Sequence, residues 1–559
     1  MVTNHKDIKR NIYTSHFSPS KRALDVLQKG KILNEHETAT DMIMRVVSAL
    51  AEVENNFGTP VKEIYRLAHE FGFLLDNKYC VMSTPILTNA GRYLEKPLSA
   101  CTVPPLDLVN DNISKIRRTI FEIHQGGMGT GFSLDKLTDP IAMLKILNKI
   151  AIESASSGKE DRPVGNMATL SVYHPKILEF INLKVLADKL KENWKFNISV
   201  NCDANFFSRL KVNDTITLQD SRKVKAKKIF EDIAHAANSC ADPGLIFIER
   251  MEQDNLTPDL GHYISTAPCA EVGLAKGESC QFGYLNLARF LKKSKKVDVQ
   301  QLRDATHILT RILDNALEIS IHNYTEEDSK LIMSQKRKIG IGICGLADLF
   351  LTKGISYDSE EAREVALDLV TFINFESKIA SHELAKVRGS FGAMNLYPKN
   401  RHLEQPSFLE KKYGNLKTKY ISPKKWNWLA AKIRKTKMLR NVSTIALPPT
   451  GRSALIIDAS TGVEPIFSPE DYYARHLLLK CSPHECMSTA RNTSPRDHLL
   501  MVAGLQKGVD ESISKTINLP PEITSDQVGQ IYLDAWEFGL KGISIYREGS
   551  KCAQPKKLS

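Results

Sequence analysis

Long apolar runs are missing from this chain, and cysteine is scarce. No stretch approaches the roughly 18 apolar residues of a helical membrane span, so no membrane partner is expected. The opening MVTNHKDIKRNIYTS has no apolar h-region, which argues against a secretory signal and for a cytoplasmic location. Ten cysteines in 559 residues are too sparse for a disulfide scaffold; buried, catalytic or metal-binding thiols are the expected roles. Internal repeats of about 20–50 residues are absent too, so a solenoid is excluded. Acidic residues fall short of basic ones, 64 against 76, leaving a formal charge of +12. That surplus suits an anionic partner, either a phosphorylated small molecule or a nucleic acid. Hydrophobic residues at 42% and charged residues at 25% are ordinary globular proportions, which excludes disordered and fibrous classes.

The texture changes along the chain. Residues 1–20 are polar and read as loosely ordered. Ala39–Val53 and Val61–Leu75 repeat apolar residues at spacings of three and four, which predicts an α-helical region over residues 1–80. Beyond Ser83, short β-like runs (Phe196–Val200, Leu245–Ile248, Ile339–Ile343) alternate with helical stretches such as Val299–Ser320 and Glu361–Val387. That alternation predicts an α/β body with parallel strands over 81–550, followed by a short tail, 551–559. Residues 398–440 are rich in Lys and Arg and read as a solvated surface insertion. No aromatic-interleaved motif accompanies them, so nucleic acid is not expected as a partner.

Four segments could carry chemistry. Gly340-Ile-Gly-Ile-Cys-Gly345 matches a dinucleotide fingerprint literally, but the polar Ser334–Lys338 precedes it where an apolar strand is needed. Glycines that permit close packing in a buried strand are the better reading. Pro449, Thr450 and Gly451 form a turn before an apolar run; with Arg452 and Ser453 it would present N–H groups, hydroxyls and charge to a phosphate, or be an ordinary turn. In Ser265-Thr-Ala-Pro-Cys-Ala-Glu-Val272, Cys269 and Glu271 lie two apart, so in an extended segment they would share a face. That pairs a sulfur reactant with a carboxylate base, although buried structural cysteine is the usual explanation for such a residue. Cys481-Ser-Pro-His-Glu-Cys486 could be a zinc or redox site, but no second ligand pair stands nearby and an ordinary loop is preferred; no metal is assigned.

Together these segments resemble the large (catalytic) subunit of ribonucleotide reductases, most closely the adenosylcobalamin-dependent class, from about residue 20 to about residue 550. Ser83-Thr-Pro-Ile-Leu-Thr-Asn-Ala-Gly91 looks like the entry to the family's barrel, Leu98-Ser-Ala-Cys101 like its first reducing cysteine, and Gly126-Gly-Met-Gly-Thr-Gly-Phe132 like its glycine stretch. Arg337–Asp348 is similar to another signature and accounts for the false dinucleotide match. Pro449–Ser453 with Gly462-Val-Glu-Pro465 resembles the phosphate loop and its sequel, and Gly542–Ser550 the closing strand. The resemblance implies a ten-stranded α/β barrel of two five-stranded halves, with an α-helical N-terminal region and a loop inside that carries the radical cysteine. It implies reduction of ribonucleoside di- or triphosphates to 2′-deoxyribonucleotides for DNA synthesis. Cys269 would be the thiyl radical and Glu271 the base for the 3′-hydroxyl. Cys101 and Cys280 would be the reducing pair that ends as a disulfide. Ser83 and Thr84, with Pro449, Thr450, Gly451, Arg452 and Ser453, would hold the polyphosphate.

The motifs also bear on the radical source. An oxygen-dependent partner needs a tyrosine pair on the last barrel strand, and here that strand reads Ile545-Tyr546. The tail 548–559 shows no glycyl-radical loop. Adenosylcobalamin remains, a cofactor that brings its own radical chemistry. Several features depart from the family pattern. Ala267 stands where asparagine is usual, and Ala270 where many members have glycine. The segment after Phe132 is short, which bears on regulation and on whether the chain is a monomer or homodimer. The tail has one cysteine, Cys552, which implies an external, thioredoxin-like thiol reductant. The competing expectations are a reductase-like enzyme on a different nucleotide and a non-catalytic nucleotide-binding paralogue.

Overall fold

The computed structural model describes residues 12–93, 95–157, 164–396, 405–470, 472 and 487–550. Cys481–Cys486 and the tail 551–559 lie outside the described residues.

The N-terminal region is helical, as its periodicity predicts. Thr38 caps the helix Ala39–Glu52 through a reciprocal capping box with Asp41. Met42, Ile43, Val46, Val47 and Leu50 form its buried stripe. The helix Val61–Asp76 answers with Ile64, Leu67, Phe71 and Leu74. Just past the first of these helices stands a buried carboxylate, Glu54. It accepts from Arg311 Nε at 2.7 Å and from Asn315 at 3.0 Å, and it pairs with Arg388. Asp314, one turn along the helix Val299–Asn323, receives Arg337, Arg388 and Arg440. This ion cluster ties the helical region to the two long helices Val299–Asn323 and Glu360–Arg388.

The rest is α/β. The strands in chain order are β1 (Cys80–Met82), β2 (Cys101–Thr102), β3 (Gly129–Ser133), β4 (Asn166–Ser171), β5 (Phe196–Asn201), β6 (Thr215–Thr217), β7 (Lys223–Lys225), β8 (Gly244–Ile246), β9 (Ser265–Thr266), β10 (Gly273–Leu274), β11 (Ser279–Cys280), β12 (Phe282–Asn286), β13 (Gly340–Cys344), β14 (Thr516–Leu519) and β15 (Gly542–Arg547). One sheet runs β11-β2-β3-β4-β5-β8-β15-β14. From β2 to β8 it is parallel, with helices such as Ile113–Gln125 and Ala226–Cys240 as crossovers. β15 joins β8 antiparallel and β14 parallel. A second sheet runs β1-β12-β13. β9 and β10 form a separate hairpin between β8 and β11 in the chain. The coarse expectation of an α/β body with parallel strands and a helical N-terminal region therefore holds.

The glycines of β13 have a packing role. A Cβ on Gly340 would overlap the Phe282 ring, and one on Gly342 would come within 2.8 Å of the Tyr284 ring. Gly345 sits at φ 68° as the residue before the helix Leu346–Lys353. Two aromatic rings of β12 thus lie across a glycine strand, which leaves the motif no phosphate to cradle.

The reading of 398–440 as a solvated insertion needs correction. The helices Gln405–Tyr413 and Pro423–Thr436 bury Tyr413 and Trp426, whose rings stack at 4.5 Å. Tyr413 donates to Asp510 at 2.9 Å, and Lys412 pairs with Asp254 at 2.5 Å. The spacing of Trp426, Leu429, Ala430 and Ile433 is an amphipathic stripe beneath a basic outer face.

The Glu54 cluster generates a stability prediction. Burial alone would raise the Glu54 carboxyl from its ordinary 4.5, but the Arg311 hydrogen bonds and the Arg388 charge outweigh it and hold it at about 2. Its contribution is therefore full above pH 4.5 and is lost as pH falls toward about 2. Glu54→Gln takes the carboxylate from the partly exposed Arg311 and leaves the buried Arg388 with Asp314, so at pH 7 it lowers unfolding free energy by about 3 kcal/mol, the lower end for a broken buried pair, in urea titrations. The gap between variant and wild type narrows as the titration is repeated at more acid pH.

Candidate active site

The hairpin β9–β10 is the centre of the site. Ser265 pairs with Leu274 and Thr266 with Gly273. Ala267 N–H donates to Val272 at 3.1 Å, and Ala270 N–H to Ala267 at 2.9 Å, closing a tight turn that carries Pro268, Cys269, Ala270 and Glu271. The chain reverses here because Ala270 takes φ 61°. The expectation that Cys269 and Glu271 share a face assumed an extended segment; they lie instead in a turn, with Cys269 exposed at the tip, Glu271 buried, and the Cys269 backbone N–H on the Glu271 carboxyl.

A floor of glycine carries the hairpin. A Cβ on Gly131 would collide with the Thr266 carbonyl oxygen. One on Gly129 would lie 2.9 Å from Pro268 Cγ, and one on Gly165 3.3 Å from Pro268 Cβ. Gly129 and Gly131, and more mildly Gly165, are the places where a side chain would press on the hairpin from β3 and β4.

Cys101 and Cys280 face each other across β2 and β11 as direct Cα partners. Such partners stand about 4.5–5.5 Å apart, inside the span of a disulfide. Both stand as thiols here, Cys280 buried and Cys101 partly exposed. Burial pushes the Cys280 thiol well above its ordinary range, and the neighbouring Cys101 and Glu271 push it further. Burial also raises Glu271 from 4.5 to about 7, with the Glu271 and Cys269 backbone N–H groups partly opposing it. The two thiols, the carboxyl and the hairpin tip therefore form one neighbourhood.

Around it lie polar atoms without a protein partner: Ser265 Oγ, Thr266 Oγ1, Glu271 Oε2 and Ser512 Oγ. They are among the buried polar atoms that have no hydrogen-bond partner in the protein, and Ser265 Oγ lies on the side of Gly131 in β3. Ala267 itself is fully buried and offers no polar atom. Ser512 adjoins the site, since its N–H donates to the Glu271 carbonyl at 3.0 Å. Neither Ser512 nor the Ser265 and Thr266 hydroxyls were singled out in the sequence; single serines and threonines carry no signal of their own.

A cavity of about 240 Å³ borders Cys269, and Pro449 lines it too. Thr450 precedes the short helix Gly451–Ile456, and its Oγ1 accepts from Gly462 N–H at 2.8 Å, folding the Pro449–Ser453 turn onto the Gly462–Pro465 segment. Gly451 has φ 39° and open space where a Cβ would be. Thr450 and Ser453 are buried and Arg452 is partly exposed. Ser83 lies beside β12, its N–H donating to Phe282 at 3.0 Å; its buried Oγ has no protein partner. Thr84 follows as the first residue of the helix Thr84–Asn89. The hairpin, the thiol pair and Pro449 are thus gathered, and Ser83 stands one strand away.

The chain matches the model of the ribonucleotide reductase barrel domain over residues 99–478 and 478–546, and that of the ribonucleotide reductase all-alpha domain over residues 17–95. It is 31% identical to a vitamin B12-dependent ribonucleoside-diphosphate reductase of Thermoplasma acidophilum, over 85% of this chain and 64% of the relative. A protein of the same name from Mycobacterium tuberculosis is 28% identical over 96% of this chain and 80% of the relative. A vitamin B12-dependent ribonucleotide reductase of Streptomyces coelicolor is 24% identical over 92% of this chain and 63% of the relative. The chain thus spans about two thirds to four fifths of the length of these relatives.

A left-handed φ costs a non-glycine residue about 1–2 kcal/mol. Ala270→Gly is therefore expected to stabilise the protein by about 1 kcal/mol, read as a higher urea midpoint at unchanged slope.

Proposed function

The chain belongs to the ribonucleotide reductase family, and from that premise we propose that it reduces ribonucleotides to 2′-deoxyribonucleotides by thiyl-radical chemistry for DNA synthesis. The observation that carries this reading is the direct pairing of Cys101 with Cys280 beside the buried Glu271 and the hairpin-tip Cys269. In the proposed reaction the Cys269 sulfur radical takes the 3′ hydrogen, forming S–H, while Glu271 takes the 3′-hydroxyl proton. The 2′-hydroxyl leaves as water with a proton from the dithiol. Cys101 and Cys280 supply two electrons and the second hydrogen, which forms the new C2′–H bond, and become a disulfide; Glu271 returns its proton to the 3′ oxygen, and Cys269 returns its hydrogen to C3′ and is left as the sulfur radical. The balance is one ribonucleotide and one dithiol converted to one deoxyribonucleotide, one disulfide and one water. Ser83 and Thr84, with the Pro449–Ser453 turn, would hold the polyphosphate. The unpartnered Ser265, Thr266 and Ser512 hydroxyls would meet the sugar.

Adenosylcobalamin, when bound, would supply the radical at Cys269. The residues at the tip fit such a group: Cys269 is exposed, and the strand ends beside it are short of side chain at Gly244, Gly542 and Ser544. A Cβ on Gly542 would already touch the Ala270 methyl at 3.5 Å, and these residues would hold the adenosyl arm. The names of the relatives agree with this choice of cofactor.

We read the finer architecture as a closed barrel of ten strands over 81–550, with 1–80 as the helical region and 551–559 as a tail. Support comes from the bridges Ile341↔Ile445 and Leu447↔Ile513, which lead from β13 toward β14, and from Gln281 alone separating β11 from β12. The ring would then run β2, β3, β4, β5, β8, β15, β14, the 445–447 segment, β13 and the joined β11–β12. The partly exposed Cys101 favours an external, thioredoxin-like reductant, because exchange begins at the accessible sulfur. A cytoplasmic location, as monomer or homodimer, completes the reading; among the described residues no helix is long and apolar enough to cross a membrane. Ala267 favours one second reading, a reductase-like enzyme on a different nucleotide substrate.

Incubation without oxygen with adenosylcobalamin, dithiothreitol and each common ribonucleoside di- and triphosphate tests the proposal. Deoxynucleotide is expected, diphosphates being the first to try, and Cys269→Ala is expected to lower turnover at least about 1,000-fold. Product that persists in Cys269→Ala, or none from any substrate, would sink it. A general base must be ionised, so kcat/KM should fall as pH drops below about 7, the value to which burial raises Glu271. Glu271→Gln should remove that limb and most of the rate.

A further inference from the structure

Two lysines lie buried where the chain enters β13. Lys336, Arg337 and Lys338 were read from sequence as too polar for an interior position, yet all three are buried. Arg337 belongs to the Asp314 cluster. Lys338 does something different. Its Nζ donates to Tyr263 Oη at 3.0 Å and to the Gly273 carbonyl at 3.0 Å. It also pairs with Glu278 at 3.0 Å and with Glu511 at 3.2 Å.

The partners form a pattern. Tyr263 stands just before β9 and Gly273 begins β10, so one ammonium ties both legs of the hairpin that carries Cys269. Glu278 lies where the chain leaves the hairpin for β11, and its Oε2 accepts from Ala275 N–H at 2.9 Å and pairs with Lys336. Glu511 precedes Ser512, whose N–H holds the Glu271 carbonyl, and Ser443 donates to Glu511 at 2.8 Å. Burial alone would lower the Lys338 ammonium; Glu278 and Glu511 outweigh it and keep the group charged. The Tyr263 ring lies 4.4 Å from the ammonium and belongs, with Met167, Ile246 and Met251, to the apolar cluster against which Ala270 of the tip packs.

We propose that Lys338, acting through Tyr263, Gly273, Glu278 and Glu511, is a positioning residue that fixes the Cys269 hairpin within the barrel. The role in turnover rests on the proposed reductase reaction; the anchoring does not. A hairpin lying on bare glycine has few side-chain contacts below it to set its height, so an ionic tie at its base does that work. A reacting thiol misplaced by about 1 Å loses on the order of 100-fold in rate.

Lys338→Met tests this. Each carboxylate keeps one partner in that variant, Lys336 for Glu278 and Ser443 for Glu511, so the fold persists. Tyr263→Phe is the milder variant, removing one oxygen and keeping the ring. Arg388→Met is the comparison: it deletes an equally buried cation, its carboxylates retain other arginines, and it touches no part of the hairpin. Hydrogen exchange is followed at the Ile264 and Ala267 amides, which donate across the hairpin, and in β4. The expected result is exchange about tenfold faster at the hairpin in Lys338→Met, a smaller rise in Tyr263→Phe, and no selective rise in Arg388→Met. In turnover, kcat should fall about tenfold or more in Lys338→Met, with KM within about twofold of wild type. Hairpin exchange that is unchanged, or that rises only in step with β4, would overturn the proposal. So would a kcat loss in Arg388→Met as large as in Lys338→Met. If wild type is inactive while the hairpin loosens selectively, the anchoring stands and the reductase reading fails.

Discussion

The close approach of a hairpin backbone to the sheet beneath it is the constraint on which the site depends. β9 lies so near β3 that no Cβ fits at Gly131, and Pro268 fills the space over Gly129 and Gly165. Backbone so placed must satisfy its polar groups within the hairpin itself, which it does through the Ile264, Ala267 and Ala270 amides. The turn is tight because it must be, and its tightness puts Ala270 at a left-handed φ. The same burial that makes the approach possible sets the chemistry. Glu271 is driven up to about 7 and Cys280 well above its ordinary range because the hairpin and the strands around it exclude water. Packing and reactivity are here one fact.

Charge is handled by the opposite device. The chain buries many ions, and at two places they are gathered into clusters with shared partners. Glu54 and Asp314 share Arg311, Arg337, Arg388 and Arg440 at the seam between the helical region and the long helices. Lys336 and Lys338 share Glu278, and Lys338 also meets Glu511, under the hairpin. Shared partners matter energetically, because a lone buried pair often fails to recover its desolvation cost. They also give direction: apolar contacts allow sliding, whereas an ammonium with four oxygen neighbours has one place to sit. The protein uses greasy packing for bulk stability and ionic nodes where an element must be held in register.

How much of this was legible in the sequence differs from place to place. Helices with a clear stripe were readable, because period and burial coincide there. The false fingerprint at Gly340–Gly345 was readable as packing glycine, although the rings that need the space, Phe282 and Tyr284, come from a neighbouring strand. The insertion at 398–440 was misread because basic residues on one face of a helix outvoted Trp426, Leu429 and Ile433 on the other. The pairing of Cys101 with Cys280 came from family likeness and not from spacing; 178 residues intervene, and only strand register brings them together. The turn between Cys269 and Glu271 was invisible because alanine does not announce a positive φ as glycine does. Lys338 was hidden for a similar reason: nothing local shows that its counter-charges lie at 278 and 511.

The two alanines of the hairpin are best understood together. Ala270 strains the tip, and Ala267 removes a polar side chain from beneath it. Strain at a turn persists only where the surroundings over-determine the backbone, and here glycine below, strand pairing within and Lys338 at the base do so. A rigid hairpin can then present its neighbours' hydroxyls reproducibly. The Ser265, Thr266 and Ser512 hydroxyls have no protein partner, and on the proposed reading that unmet hydrogen-bonding capacity would serve a site that lacks polarity at 267. On the proposed reading, hydroxyls at neighbouring positions would take the place of polarity at 267, and a hairpin held still would give them a fixed direction.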